Sequence, residues 1–466
     1  MIDFPPYLPK ILSKLMCKGI DLAEIFFEKR HSSIISCEDH RIEKINTGID
    51  IGTGLRLIHH YKTSYAYSND ISENSLTQMA DSLTCTIQTP HDMISLNMDK
   101  LKPPCPYPVE KPFDTVSLDV KSNLVRRADS AAWEFDSKLI KQVKVIYSDS
   151  IQEVLLINSK GEHSQEVRPG LIFLVQVVAS KGHDIQTGYE AIGGRTGMEL
   201  FDGPYSPENI AKLAAKRAIS MLDADLAPTG PMTVVLSSEA GGTMIHEAIG
   251  HGLEADIAQK GLSVFSNRLG EKVASPVITV IDDATIPGKR GSFYYDDEGT
   301  PAQKTVLVEN GILKGYMYDC LSALKAKASS TGNGRRESYQ HVPIPRMTNT
   351  FIAPGEISPE EIISSTPKGL FVKKMGGGQV DTVSGDFVFE VNEGYLIEKG
   401  KMTRPIRGAT LIGNGPKVLQ GIDMVGSDLG YQVGTCGKDG QTAPVADAQP
   451  TLRIQQIIVG GQALSE

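Results

Sequence analysis

The chain has 466 residues, a net charge of −9, and 40% hydrophobic and 22% charged residues, the proportions of a globular protein too long for one ordinary core. The negative balance excludes a general affinity for nucleic acid, and no stretch approaches the ~20 consecutive apolar residues of a membrane span. The opening Met1-Ile2-Asp3-Phe4-Pro5-Pro6 has neither the basic start nor the apolar run of a secretory signal, which makes the cytoplasm the expected location. Cys17, Cys37, Cys85, Cys105, Cys320 and Cys436 lack framework spacing and read as free thiols of a reducing compartment.

In chain order, the first half repeats one pattern. A helix over 9–18 precedes strand-like runs at 22–29, 32–37, 49–59 and 63–69, and a helix from Ser75 to about Gln88 follows. The connection Lys102-Pro103-Pro104-Cys105-Pro106-Tyr107-Pro108 cannot be helical and bridges to a second unit. That unit has a helix over 117–139, alternating runs at 144–148, 153–158, 163–168 and 171–180, and a closing helix over 206–222 behind a Ser-Pro-Glu start. Helix, strands, helix, repeated, predicts a pseudo-symmetric α+β domain over 1–226. Ala227-Pro228-Thr229-Gly230-Pro231 opens a second domain over 227–466. Its runs at 232–236, 277–281, 304–309, 370–374, 386–392 and 394–399 are short strands, and Glu309-Asn310-Gly311 is the best hairpin signal. The fold class expected is therefore α+β, with a β-rich C-terminal domain that carries one metal-binding helix.

That helix holds Thr243-Met244-Ile245-His246-Glu247-Ala248-Ile249-Gly250-His251-Gly252-Leu253-Glu254-Ala255-Asp256. Two imidazoles can hold a divalent metal, and the Glu247 carboxylate can take a proton from the attacking water. Common zinc proteases space their histidines four residues apart, about 40° on one helix face; here the gap is five, about 140° on an ideal helix. The helix must therefore be deformed or end. Gly250 and Gly252 flank the second histidine, and a single π turn would bring both rings to one side.

A third ligand is needed for a site with one open position. His341 is the only other histidine beyond residue 227, Glu254 and Asp256 compete by spacing, and Cys436 sits in the glycine-bracketed Gly434-Thr435-Cys436-Gly437-Lys438-Asp439-Gly440, read as a turn. Residue chemistry leaves the choice among them open. Gly376-Gly377-Gly378-Gln379 and Gly413-Asn414-Gly415-Pro416-Lys417 lack the Gly-Lys-Ser/Thr ending of a phosphate loop. Cys37-Glu38-Asp39-His40 reads as a turn between strands.

The string His246-Glu247-Ala248-Ile249-Gly250-His251-Gly252-Leu253-Glu254 closely resembles the active-site motif of the TldD family of metalloproteases. So do Asp296-Asp297-Glu298-Gly299-Thr300-Pro301, Thr331-Gly332-Asn333-Gly334-Arg335-Arg336-Glu337-Ser338, Pro345-Arg346-Met347-Thr348-Asn349-Thr350 and Gly434-Thr435-Cys436-Gly437-Lys438-Asp439-Gly440-Gln441, in family order. The resemblance implies one Zn²⁺ per chain held by His246, His251 and Cys436, with Glu247 as general base. It also implies peptide substrates that are unfolded or extended, and a chamber formed by a homodimer or by a heterodimer with a metal-free PmbA-type sister subunit. A thiolate ligand lowers the net charge at the metal, so other donors must help stabilise the oxyanion; Tyr294, Tyr295, Arg335, Arg336 and His341 are candidates for that or for substrate contact. Glu254 and Asp256 are candidates for orienting the histidines. The competing readings are a non-catalytic peptide-binding subunit with a structural metal and a metal-dependent amidase of small molecules.

Overall fold

The computed structural model describes residues 5–16, 19–85 and 105–461, so the chain start, the Pro-rich connection through residue 104 and the end of the helix predicted to reach residue 88 lie outside the described residues. The architecture is α+β, and the first half is built twice. The first unit runs α1 (Leu8–Leu15), β1 (Ile20–Glu38), β2 (Arg41–His59), β3 (Lys62–Ser68) and α2 (Glu73–Thr84). After the short β4 (Cys105–Pro106), the second runs α3 (Leu118–Phe135), β5 (Ile140–Asn158), β6 (His163–Lys181), β7 (Asp184–Gly194) and α4 (Pro207–Leu222). All seven strands form one sheet in the order β3-β2-β1-β5-β6, with both β4 and β7 on β6. β1 and β5 meet antiparallel, His31 opposite Ile151, so the two units face each other across the sheet centre.

The helices begin where the sequence places caps. Ser72, Ser117 and Ser206 accept from the backbone N–H three residues on, and Pro207 takes the first helical position. Their apolar faces cover separate parts of the sheet: Leu12, Leu76 and Ala80 pack on Ile25 and Leu57, and Val125, Ala128, Ala214 and Ala218 pack on Val145 and Val175. Each pair of short strands predicted within 22–37, 144–158 and 163–180 is a single strand of 19 residues. The polar stretch that splits them in sequence, Ser32 opposite Ser150 for example, has a strand on both sides, and the backbone ladder continues regardless of side-chain polarity. Glu38 and Arg41 pair across the turn at Asp39-His40, as expected.

In the second half, five strands close on themselves. Lys368–Val380 pairs with Gly230–Leu236, which pairs with Leu452–Gly460, then Thr410–Asn414, then Asp386–Glu398, which returns to Lys368–Val380. Closure leaves these strands no free edge. A six-stranded sheet lies beside it, ordered Ile312–Leu313, Lys304–Glu309, Val280–Asp283, Thr350–Ile352, Gln441–Gln449, Gly430–Lys438. Its first hairpin turns at Asn310-Gly311, both with positive φ (49° and 81°), the type I′ geometry that dipeptide favours. Both layers share one core, into which Met244, Ile245, Ala248, Ile249 and Leu253 of the two-histidine segment are sunk. No helix among the described residues is long and apolar enough to cross a membrane.

Candidate metal centre

The two-histidine segment is a helix that changes gauge. Thr243–Ile245 is α-helical, His246–Gly250 is a π turn, His251–Leu253 is a 3-10 turn, and Ala255–Gln259 is α-helical again. The His251 N–H donates to the His246 carbonyl, five residues back. A turn widened to that span returns the second histidine above the first, and the rings meet edge to face with centroids 4.9 Å apart. Gly250 lies inside the widened turn with right-handed φ −56°, ψ −58°. Glycine is needed there because a Cβ would lie 2.1 Å from the buried Met347 Sδ. At Gly242 a Cβ would come within 2.4 Å of Asp447 and the Ala448 nitrogen, and this close approach seats the segment against the strand Gln441–Gln449.

Cys436 lies on a strand, not in a turn. Gly430–Lys438 and Gln441–Gln449 form a hairpin whose turn is Asp439-Gly440. Cys436 opposes Ala443, and Gln432 opposes Asp447, so by the alternation of strand side chains Cys436 and Asp447 share one face of the hairpin. Arg346, fully buried, donates to the Cys436 carbonyl at 2.5 Å and to the Gln441 carbonyl at 3.2 Å, fixing the hairpin backbone.

Together these elements bring His246, His251 and Cys436 to one point, their donor atoms all within 4.8 Å of one another. Cys436 Sγ is 3.5 Å from His251 Nε2. Zn–S and Zn–N bonds of about 2.3 and 2.0–2.1 Å at a tetrahedral angle span about 3.6 Å, so the donor set fits zinc in kind and in spacing. The far side of each ring faces a carboxylate: His246 Nδ1 is 2.8 Å from Asp447 Oδ1, and His251 Nδ1 is 2.9 Å from Glu254 Oε2. Burial alone would lower the pKa of both histidines, but the facing carboxylates and Cys436 raise them, His251 to about 10. Burial would raise Cys436, yet hydrogen bonds from His246 and His251 bring it down to about 6. Glu254 is held at about 2: burial opposes its charge, and Lys438 and His251 outweigh burial.

Glu247 is half-buried and is absent from the hydrogen bonds and ion pairs among the described residues. The remaining acid of the segment, Asp256, pairs with Lys438 at 2.7 Å and contacts neither histidine. His341 is not in the cluster; its Nδ1 is 3.1 Å from Ser338 Oγ. The backbone N–H groups of Tyr294 and Tyr295 donate to the Glu166 carboxylate, and the Tyr295 carbonyl accepts from Arg168. Arg336 is buried against Glu24 (2.5 Å), the Asp297 carbonyl and the Phe26 ring. Arg335 donates to the carbonyls of Met347 and Pro444. Sequence reasoning missed Asp447 and Arg346. Asp447 stands 201 residues from His246 with no local pattern to mark it, whereas Arg346 lay within a block already singled out for its resemblance.

Comparison with known proteins places the chain among metallopeptidases. Models of the PmbA/TldA metallopeptidase domain 1, central domain and C-terminal domain match residues 23–84, 111–222 and 229–461. A metalloprotease TldD homolog of Haemophilus influenzae is 39% identical over 95% of this chain and 94% of its own length. A metalloprotease of Methanocaldococcus jannaschii is 36% identical over 95% and 97%. The chain belongs to the PmbA/TldA metallopeptidase family, in its TldD branch. The same fold is seen in the crystal structure of TldE from Thermococcus kodakarensis, with a TM-score of 0.77, 20% identity, and coverage of 97% of this chain and 99% of that one.

Proposed function

We propose that the chain is a zinc-dependent protease of unfolded or extended peptides, with His246, His251 and Cys436 as metal ligands and Glu247 as general base. The observation that carries this reading is the unpartnered, half-buried Glu247 carboxylate directly after the first of three convergent donors. Thiolate with imidazole favours zinc over harder divalent ions. When bound, zinc supplies Lewis acidity, bringing the pKa of water toward neutrality and polarising a peptide carbonyl.

The chain's own groups do the rest. Asp447 and Glu254 each hold an Nδ1–H, which fixes the tautomer that leaves Nε2 free on the side of Cys436. Glu247 accepts the proton lost by the attacking water and delivers it to the departing amine. The strand Gly430–Lys438 ends its sheet, and an extended peptide can add to it through backbone hydrogen bonds, with little dependence on sequence.

We place the functional division between 1–226 and 227–466; one core made only of residues from 227 onward supports it. A cytoplasmic location and a dimer, with itself or with a metal-free sister, complete the proposal; the similarity to TldE supports the latter. A structural metal would want a fourth protein ligand and has no use for a free Glu247. The test is Glu247→Ala with metal content measured alongside proteolysis. Retained zinc with proteolysis lost is expected; unaltered proteolysis would overturn the assignment.

A further inference from the structure

Behind the Cys436 strand, between the hairpin and the sheet of the first half, lies a cavity of ≈ 160 Å³. Three arginines line it, Arg30, Arg195 and Arg290, with Glu337 as the one acid. Thr435 and Pro444, opposite each other in the hairpin, close its roof, so it faces the side of the strand turned away from the thiol.

Of the three cations of this cavity one is neutralised by the protein and two are not. Arg30 pairs with Glu28 at 2.9 Å. Arg195, 6% exposed, donates Nε to the Ser292 carbonyl (3.0 Å) and Nη1 to the Pro169 carbonyl (3.2 Å). Arg290 donates Nε to the Gly434 carbonyl (3.0 Å) and Nη2 to Thr435 Oγ1 (3.3 Å). Among the described residues neither has a carboxylate within ion-pair distance, and the Arg195 Nη2 and Arg290 Nη1 groups have no acceptor. Glu337 is occupied by the Thr442 N–H. Arg168, by contrast, is matched on the same sheet by Glu166 and Asp297. The buried Arg195, held only by neutral carbonyls, and the half-buried Arg290, held by a carbonyl and a hydroxyl, lack the counter-charge that normally accompanies such groups. Burial pushes both down, Arg195 to about 9 with Arg168 beside it and Arg290 to about 10.

We propose that this cavity is a carboxylate-binding subsite that takes an acidic group of the peptide substrate, either a side-chain carboxylate or the C-terminal one. The proposal rests on the peptidase reading above and adds a substrate class to it. Guanidinium forks with free N–H groups suit a planar carboxylate, and the volume admits one side chain. Arg290 grips Gly434 and Thr435, the two residues before Cys436, so a carboxylate held there belongs to the same chain that lies along this strand. Crossing the strand takes two to three residues at about 3.3 Å each, which sets the distance from the acid to the cleaved bond.

The test uses the metal-loaded protein and two peptide pairs, one differing by Glu against Gln near the cleaved bond and one by a free against an amidated C-terminus. Binding is read by fluorescence anisotropy on Glu247→Ala and cleavage by KM on the wild type. An acidic partner favoured on the order of tenfold in one pair identifies the source of the carboxylate. Ser150→Asp, which lines the cavity with an internal counter-ion, and Arg195→Gln should each bring that ratio to about one; should Arg195→Gln fail to fold, Ser150→Asp stands alone. Equal binding within both pairs, or a preference that survives Ser150→Asp, overturns the proposal, as does competition by inorganic phosphate without any peptide preference. Discrimination in binding with no peptide cleaved leaves the subsite intact and overturns the peptidase mechanism instead.

Discussion

Two of the buried clusters of titratable groups among the described residues are organised in opposite ways. At His246, His251 and Cys436, three donors converge, with Asp447 behind one ring and Glu254 behind the other. Between the two halves, Arg336 with Glu24, Arg56 with Glu298 and Arg168 with Asp297 neutralise one another directly. The first arrangement leaves a point at which a cation is wanted and a carboxylate, Glu247, without a partner. The second pairs its charges within the protein. Both draw on segments singled out by resemblance, so membership in a recognisable motif does not separate chemistry from architecture; the pairing of charges does. The segments 294–301 and 331–338 serve to clasp the C-terminal half to the first sheet, and Arg336 and the backbone of Tyr295 are spent on that task.

Changes at the two clusters should therefore fail differently. The largest effect is expected from His251→Ala, which should abolish metal retention and proteolysis while leaving the thermal unfolding of the metal-free protein close to that of the wild type, because Glu254 keeps Lys438 at 3.1 Å. Next, Arg336→Met removes the hydrogen-bonded partner of the fully buried Glu24, leaving it only Arg56 at 3.7 Å, and should cost about 3–5 kcal/mol of stability, seen as a lower melting temperature with stoichiometric metal in the folded fraction. Asp447→Asn removes the charge behind His246 and should weaken metal affinity by roughly 10- to 100-fold, measured by competition with a chromophoric chelator. Per pH unit the effect of pH is smaller, about tenfold for each proton displaced. In the metal-free protein His251 is raised to about 10 and Cys436 is lowered to about 6, so near neutrality the ring holds a proton that a metal must displace. Affinity should rise with pH from about 6 toward 10, and calorimetry in buffers of different ionisation enthalpy should count released protons. His341→Ala, remote from both clusters, should change stability by no more than about 0.5 kcal/mol and leave metal content as it is.

What could be read from the sequence follows from how local its cause is. The π turn was legible because a five-residue gap between two ligands forces a widened helix, and the hairpin at Asn310-Gly311 because the turn chemistry is contained in two residues. The repeated helix–strands–helix pattern was legible too, although its long strands looked broken where serines replace apolar residues. Not legible were contacts made across the chain. Asp447 reaches His246 over 201 residues and Glu24 reaches Arg336 over 312, and neither pairing leaves a trace in spacing. Gly250 does lie in the widened turn, but its backbone is ordinary, and the space it leaves for Met347, which the sequence does not show, is what requires it.

The cluster of His246, His251 and Cys436, and no other group of charged residues, is the proposed metal site. X-ray absorption at the zinc edge of the metal-loaded protein tests it most directly. The account predicts one sulfur scatterer at about 2.3 Å with two nitrogens at about 2.0–2.1 Å, the sulfur being lost in Cys436→Ser. A zinc shell of nitrogen and oxygen alone in the unmodified protein would contradict it.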